Sequence, residues 1–136
     1  MKHFQDMLIK EYSKDKKISS SKDIIKELKS FYSMNKEVLI VVSLDTNNQI
    51  ISREVVSIGT LNSSLIHPRE VFKLAILNSA NSIIIAHNHP SGNLEFSDDD
   101  NKIYDRLVES GDILGIKVLD FLIFDTKGNY ANKEAA

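Results

Sequence analysis

The stretch that decides the fold is SIIIAHNHPSGNLEFSDDD, residues 82–100. Its apolar opening predicts a central β-strand over 82–89, because strands that are buried on both faces are apolar throughout. Pro90 ends this strand, and a loop follows it. Ser97 is a typical N-cap and predicts a helix over about 98–110, which Gly111 and Gly115 end.

The segments on either side alternate between helix and strand in the same way. Apolar residues at helical spacing predict helices, and β-branched runs predict strands. Turn residues join the first two strands into a hairpin, and His67-Pro68 opens the second helix, because proline suits the first helical position. The sequence therefore predicts an α/β fold with a mixed β-sheet and flanking helices. The predicted helices span 21–34 and 68–80, the further strands 38–44, 49–58 and 116–124, and the turns 45–48 and 127–129.

The chain has 136 residues, of which 42% are hydrophobic and 26% charged, as in an ordinary folded domain. We expect a single domain over 19–136, because this length supports one core. Residues 1–18 mix charged and apolar side chains and predict an N-terminal arm. This arm is expected to be solvated, or to add a strand to a partner or to the sheet.

Charge and composition exclude several classes of protein. The formal net charge is −2, which does not support direct contact with nucleic acid, although a local basic patch is left open. There are no cysteines, so disulfides and thiolate metal sites are excluded, and a reducing cytoplasm is the expected location. No apolar run approaches the roughly 20 residues that a membrane span needs, and the N-terminus has no signal-peptide pattern. The sequence leaves the oligomeric state open.

His87, His89 and Asp100 form a candidate metal site. Alternate side chains of a strand share one face, so the two imidazoles project the same way. Seven residues separate His89 from Ser97, which is enough chain to fold Asp100, in the first helical turn, back toward them. Two His and one carboxylate are the ligands of catalytic zinc, with water in the fourth position. We therefore predict one zinc ion per chain.

Other interpretations of these residues remain open at this level. A histidine at a strand end is often only a hydrogen-bonded surface residue, and Ser97 with Asp100 also fits a capping box that has no further function. The same ligands also suit iron or manganese. Zinc deaminases of the cysteine-ligated type, P-loop proteins and zincins are excluded, because the sequence lacks their motifs.

The spacing His-x-His, seven residues, Ser, two residues, Asp resembles the JAMM motif of JAB/MPN metalloproteases. The longer segments 59–63, 67–70 and 86–92 resemble the RadC family, and the likeness runs from about residue 18 to residue 125. It implies a JAB/MPN, cytidine-deaminase-like architecture. Typical RadC proteins carry an N-terminal helix-hairpin-helix domain, so this sequence resembles the short, standalone members.

The resemblance also implies roles for individual residues. His87, His89 and Asp100 would hold zinc, and Ser97 would help to stabilise an oxyanion. Glu37, just before a predicted strand, matches the place of the general base, although a glutamate there could equally be solvated. The alternatives are Glu54 and Glu70, of which Glu70 also suits a helix N-terminus, and Arg69 would pair with an acidic group.

The sequence departs from the RadC pattern in two places. Asp120 is followed by Phe121 where the family usually has His, and Tyr130 leads into Ala131 rather than into a Ser-Phe segment. The metal positions match.

Two functions fit these observations. The first is a zinc-dependent hydrolase, a metalloprotease or isopeptidase that acts on a peptide or protein. The alternative is a non-catalytic accessory or binding module in DNA repair or mobile-element biology.

Overall fold

A six-stranded mixed sheet forms the centre of the protein. The computed structural model describes residues 9–11 and 17–133. The order of strands in the sheet is β1-β3-β2-β4-β5-β6, and all neighbours are antiparallel except β4 and β5, which are parallel. The predicted α/β class with a mixed sheet is therefore confirmed. The strands are β1 Ile9–Glu11, β2 Val38–Leu44, β3 Ile50–Ile58, β4 Ser82–Asn88, β5 Lys117–Phe124 and β6 Tyr130–Asn132.

Helices cover both faces of the sheet. They are α1 Ser21–Glu27, α2 Pro68–Val71, α3 Lys73–Leu77 and α4 Asp98–Leu114, with 3₁₀ turns at Lys29–Phe31 and Ser63–Leu65. The long helix α4 makes the crossover between the parallel strands β4 and β5, as a parallel pair requires. Among the described residues, no helix combines the length and apolarity that crossing a membrane would need.

The alternation of side chains in β2 and β4 divides the core into two layers. Val41 and Ile85 lie in one layer, with buried residues of α2, α3 and α4. Ile40 and Ala86 lie in the other, with buried residues of α1. Both strands are buried along their whole length, which explains their unbroken apolar sequences. His87, one residue after Ala86, points to the α4 side.

The first two predicted helices are shorter than expected. The helix predicted over 21–34 ends at Glu27, and Lys29–Phe31 form a 3₁₀ turn, in which residues three apart lie above one another. This tighter winding places both Leu28 and Phe31 in the core. The helix predicted over 68–80 breaks at Phe72, which is fully buried, and continues only from Lys73 to Leu77.

The third helix is longer than predicted. It runs to Leu114, so Gly111 does not end it. Gly111 instead lies inside α4, where its backbone packs against the carbonyl of Ile116 and the ring of Phe72. Gly115 does end the helix, because its φ of +73° is a left-handed conformation that favours glycine.

The two edge strands were the least predictable elements. Residues 9–11 of the predicted N-terminal arm pair with β3 of the protein's own sheet, whereas residues 1–8 and 12–16 of that arm lie outside the described residues. Strand β6 was not predicted. It follows the turn at 127–129 and pairs with the end of β5, Leu122 being opposite Asn132.

Candidate metal centre

His87 and His89 lie at the end of β4, where the sheet holds their backbone in extended form. His87 is opposite Ile123 of β5, and the N–H of His89 donates to the carbonyl of Phe124 at 2.7 Å. The extended conformation therefore continues one residue beyond Asn88, the last residue of the strand. The two imidazole rings share a face, with centroids 4.8 Å apart.

Asp100 faces both imidazoles from the first turn of α4. Its Oδ1 lies 2.9 Å from His87 Nδ1, and its Oδ2 lies 3.1 Å from His89 Nε2. The N–H of Ser97 donates to Oδ2 at 2.8 Å. Asp100 is fully buried. The sequence predicted this approach, and the structure brings the three residues together.

These contacts favour the ionised form of Asp100. Burial alone would raise the pKa of Asp100, but the hydrogen bonds from His87, His89 and the Ser97 N–H outweigh it and hold the pKa far below its usual value. The hydrogen bond with Asp100 raises the pKa of His89 despite burial. The carboxylate is thus ionised over the whole physiological pH range, as a metal ligand must be.

The three residues fit a metal ion. Their ligand atoms all lie within 4.8 Å of one another, and all three residues are buried. His89 Nδ1 donates to the Asn93 carbonyl at 2.6 Å, so Nε2, which faces Asp100, is the nitrogen that would give up its proton to bind a metal. His87 Nε2 is buried and has no hydrogen-bond partner among the described residues. Such a nitrogen is costly unless a ligand satisfies it, and imidazole nitrogen with carboxylate oxygen suits zinc.

A cleft of about 520 Å³ opens above this group. Both predicted catalytic residues, Glu37 and Ser97, line it together with the two histidines. Glu37 lies just before β2, the strand beside β4, and its Oε2 accepts from the Leu61 N–H at 3.1 Å. The remaining lining residues are Thr60, Leu61, Ser91, Asn93, Glu95, Phe96, Asp98 and Asp99.

Ser97 has a structural function in addition to its place in the cleft. Its Oγ accepts from the Asp100 N–H at 3.0 Å, so the two residues form a complete capping box. The capping interpretation and the metal-site interpretation are therefore both compatible with the structure, because one carboxylate caps the helix and faces the histidines.

Glu54, Arg69 and Glu70 do not line this cleft. They surround a separate surface cavity of about 480 Å³, together with Lys73. Glu54 is in the middle of β3, opposite Val41, and β3 is separated from β4 by β2. Burial raises the pKa of Glu54, while nearby Lys73 lowers it. The structure therefore does not bring these alternatives to the metal group.

The wall of the cleft depends on contacts that local sequence did not reveal. The Ser63 N–H donates to Asp99 Oδ1 at 3.0 Å, and Arg106 Nη1 donates to the carbonyls of Ser63 and Ile66. These contacts tie the segment 59–66 to α4. The run of three aspartates in the first turn was the available signal, but Ser63, the partner of Asp99, is 36 residues away in the chain.

The position where the sequence departs from the RadC pattern lies in the core. Asp120 is buried and accepts from Ser21 Oγ at 2.9 Å and from Asn132 Nδ2 at 3.0 Å. Phe121 packs edge-to-face on Phe96, with ring centroids 5.7 Å apart. Since Phe96 lines the cleft, Phe121 supports the cleft wall from behind.

Known sequences resemble this chain over most of its length. A family model described as the RadC-like JAB domain matches residues 18–135. A UPF0758 protein of Methanosarcina mazei is 49% identical over 109 residues, which cover 79% of this chain and 48% of that protein. A UPF0758 protein of Clostridioides difficile is 52% identical over 101 residues, or 74% and 43% of the two chains. The chain spans about half the length of the curated relatives it matches, and their names state no activity.

The match with the family model covers the helices, strands β2 to β6 and the metal group described above. It confirms the resemblance that the histidine and aspartate spacing indicated. This chain belongs to the RadC-like JAB domain family.

Proposed function

We propose that the protein is a zinc-dependent hydrolase that cleaves an amide bond in a peptide or protein. The observation that carries this proposal is the buried group of His87, His89 and Asp100 at the base of a cleft that Glu37 and Ser97 also line. The JAB domain supports it as well, because this family includes metallohydrolases.

His87, His89 and Asp100 would hold the ion. Bound zinc would supply Lewis-acid chemistry and a water-derived nucleophile near neutral pH. The low pKa of Asp100 keeps its carboxylate available as a ligand, and the Asn93 carbonyl keeps the His89 ring in the required tautomer.

Glu37 is placed to accept and return a proton. Its Oε2 is held by the Leu61 N–H, whereas its Oε1 has no hydrogen-bond partner within the described part of the chain. A carboxylate fixed through one oxygen can present the other to water in the cleft and later pass the proton to the leaving amine.

Ser97 is placed to donate a hydrogen bond. Its oxygen already accepts from the Asp100 N–H, so its hydroxyl hydrogen can turn toward a substrate oxygen in the cleft. Donation to an oxygen that becomes negative would stabilise the transition state more than the ground state.

The charges around the cleft favour a peptide over a nucleic acid as substrate. Four of the residues that line it carry carboxylates, and none of the described lining residues is Lys or Arg. Phosphate groups would be repelled there, because nucleic-acid binding relies on neutralising basic side chains. The carboxylates are on Glu37, Glu95, Asp98 and Asp99.

Metal content is the first test of this proposal. The wild type should retain about one zinc per chain by plasma mass spectrometry, and Asp100→Ala should lose it. Asp105→Ala is the matched control, because Asp105 is an exposed aspartate of the same helix. A wild type that does not retain added zinc would overturn the proposal.

A screen with a peptide library then tests the reaction itself. Glu37→Gln keeps an acceptor for the Leu61 N–H but cannot take up a proton, so it should retain zinc and lose cleavage. If Glu37→Gln and His89→Ala both keep full binding to a protein or DNA partner and no peptide is cleaved, the non-catalytic binding module is supported instead.

A further inference from the structure

Asn88 lies between the two histidines, but its side chain points to the other face of β4. Alternation along the strand requires this, since His87 and His89 share the face that meets Asp100. The side chain is not solvated there, because Asn88 is only 3% exposed. A buried carboxamide needs partners for both its oxygen and its nitrogen.

The partners of Asn88 are the two peptide groups on either side of Glu37. Asn88 Oδ1 accepts from the Val38 N–H at 2.6 Å, and Asn88 Nδ2 donates to the Lys36 carbonyl at 2.9 Å. In an extended chain, the carbonyl before a residue and the N–H after it point to the same edge. The Asn88 carboxamide thus continues the hydrogen bonding between β2 and β4 beyond their last backbone pair, Leu39 with His87.

The other edge of Glu37 is held by the neighbouring strand. The Gly59 N–H, just after β3, donates to the Glu37 carbonyl at 2.8 Å. The backbone at Glu37 is therefore fixed from both sides, and Leu61, two residues after Gly59, holds the carboxylate itself.

We infer that Asn88 is a positioning residue, which holds Glu37 at a fixed place relative to the His87–His89 pair. The inference rests on the proposed function, because Glu37 is the proton-transfer group only in that proposal. The end of β4 would then position both the histidine ligands and the proton-transfer group Glu37. The histidines extend from one face of β4, and the clamp on Glu37 extends from the other.

The chemistry of the clamp is specific to asparagine. It needs one acceptor and one donor at the end of a short side chain. Aspartate would keep the acceptor for the Val38 N–H but would place a second oxygen against the Lys36 carbonyl. Alanine would leave both peptide groups without their partner.

Amide hydrogen exchange at Leu61 tests this inference without a substrate, because the Leu61 N–H reports the position of the Glu37 carboxylate. We expect Asn88→Ala to retain about one zinc per chain and to speed exchange at Leu61 about fivefold or more, as Glu37→Ala should. Amides in the middle of β2 and β4 should keep their protection. Asn132→Ala, which removes a side-chain hydrogen bond to Asp120, is the matched control and should leave Leu61 unchanged.

A double variant separates positioning from general loosening of the fold. If Asn88 acts through Glu37, combining Asn88→Ala with Glu37→Ala should speed exchange at Leu61 no further than Glu37→Ala alone. The inference would be overturned if Asn88→Ala exchanged at Leu61 at the wild-type rate, or if the effects of Asn88→Ala and Glu37→Ala on Leu61 exchange simply added in the double variant.

If Asn88→Ala does not fold, Asn88→Asp is used in its place. An exchange rate at Leu61 in Asn88→Asp equal to that in the control Asn132→Ala would then overturn the inference. Failure of the proposed function is distinguishable, since it appears as a wild type without zinc or as full cleavage by Glu37→Gln.

Discussion

Ser97 and Asp100 hold each other through two reciprocal hydrogen bonds. Ser97 Oγ accepts from the Asp100 N–H at 3.0 Å, and Asp100 Oδ2 accepts from the Ser97 N–H at 2.8 Å. The same carboxylate also contacts both histidines. The start of helix α4 and the candidate metal group are therefore one structure, and a change to the cap should affect both.

Replacement of Ser97 by alanine tests this coupling. Ser97→Ala removes the acceptor for the Asp100 N–H, so the metal-free protein should lose about 1 kcal/mol of stability to urea. Because Asp100 is then less well oriented, zinc affinity should fall roughly 10- to 100-fold in a competition assay. Ser97→Thr keeps a hydroxyl and should therefore keep most of the stability to urea and most of the zinc affinity. Equal zinc affinity in Ser97→Ala and the wild type would show that the cap does not orient the ligand.

Removal of the metal should lower the stability of the fold. A ligand that binds only the folded state stabilises it, by about 2.7 kcal/mol when free zinc is 100 times its Kd. A chelator should therefore lower the thermal midpoint of the zinc-loaded wild type, while His89→Ala should show no response to zinc or chelator. His67→Ala is the control, because His67 is an exposed histidine outside the metal group. An identical zinc response in His89→Ala would place the metal elsewhere.

The parts of the site that the sequence predicted are close together in the chain. His87, His89 and Asp100 lie within one strand, loop and helix, so alternation and the N-cap at Ser97 were enough to bring them together. The central strands were equally predictable, because burial on both faces requires an unbroken apolar run.

The parts that local sequence did not reveal depend on how distant segments pair. Glu37 reaches the cleft because β2 pairs with β4, Leu39 being opposite His87, and only the family resemblance indicated this place. The Asn88 clamp depends on the same register. The break at Phe72 and the short strand β6 are likewise set by packing, which the local propensities do not contain.

Gly111 provides a test of packing behind α4. An alanine inside a helix is usually more stable than glycine, but a methyl group at position 111 would clash with the Ile116 carbonyl. We therefore expect Gly111→Ala to destabilise the protein by about 1–3 kcal/mol in urea unfolding. Asp112→Ala, at the next and exposed position, should be neutral or slightly stabilising. A stabilised Gly111→Ala would mean that α4 can move away from Ile116.

Asp125 gives a prediction about acid stability away from the metal group. Its Oδ1 accepts from the N–H groups of Lys127 and Asn129, both at 2.9 Å, and its Oδ2 accepts from Asn129 Nδ2 at 3.0 Å. Burial would raise the pKa of Asp125, but these hydrogen bonds outweigh it and lower the pKa. A lowered pKa in the folded state means that the ionised carboxylate stabilises the fold above the unfolded pKa of about 3.9.

The stabilisation by ionised Asp125 should be lost as the pH falls from the unfolded pKa of about 3.9 toward the lower pKa of the folded state. Asp125→Asn should therefore lower the stability of the metal-free protein by about 1 kcal/mol at neutral pH, as expected for impaired hydrogen bonding in the turn before β6. The difference from the wild type should shrink below about pH 4, where the wild-type carboxyl becomes protonated. Urea unfolding at several pH values between neutral and below about 4 measures this difference in the free energy of unfolding. Asp112→Asn is the control, because Asp112 is exposed. A difference that stays constant as the pH falls would show that the ionised form of Asp125 is not what stabilises the turn.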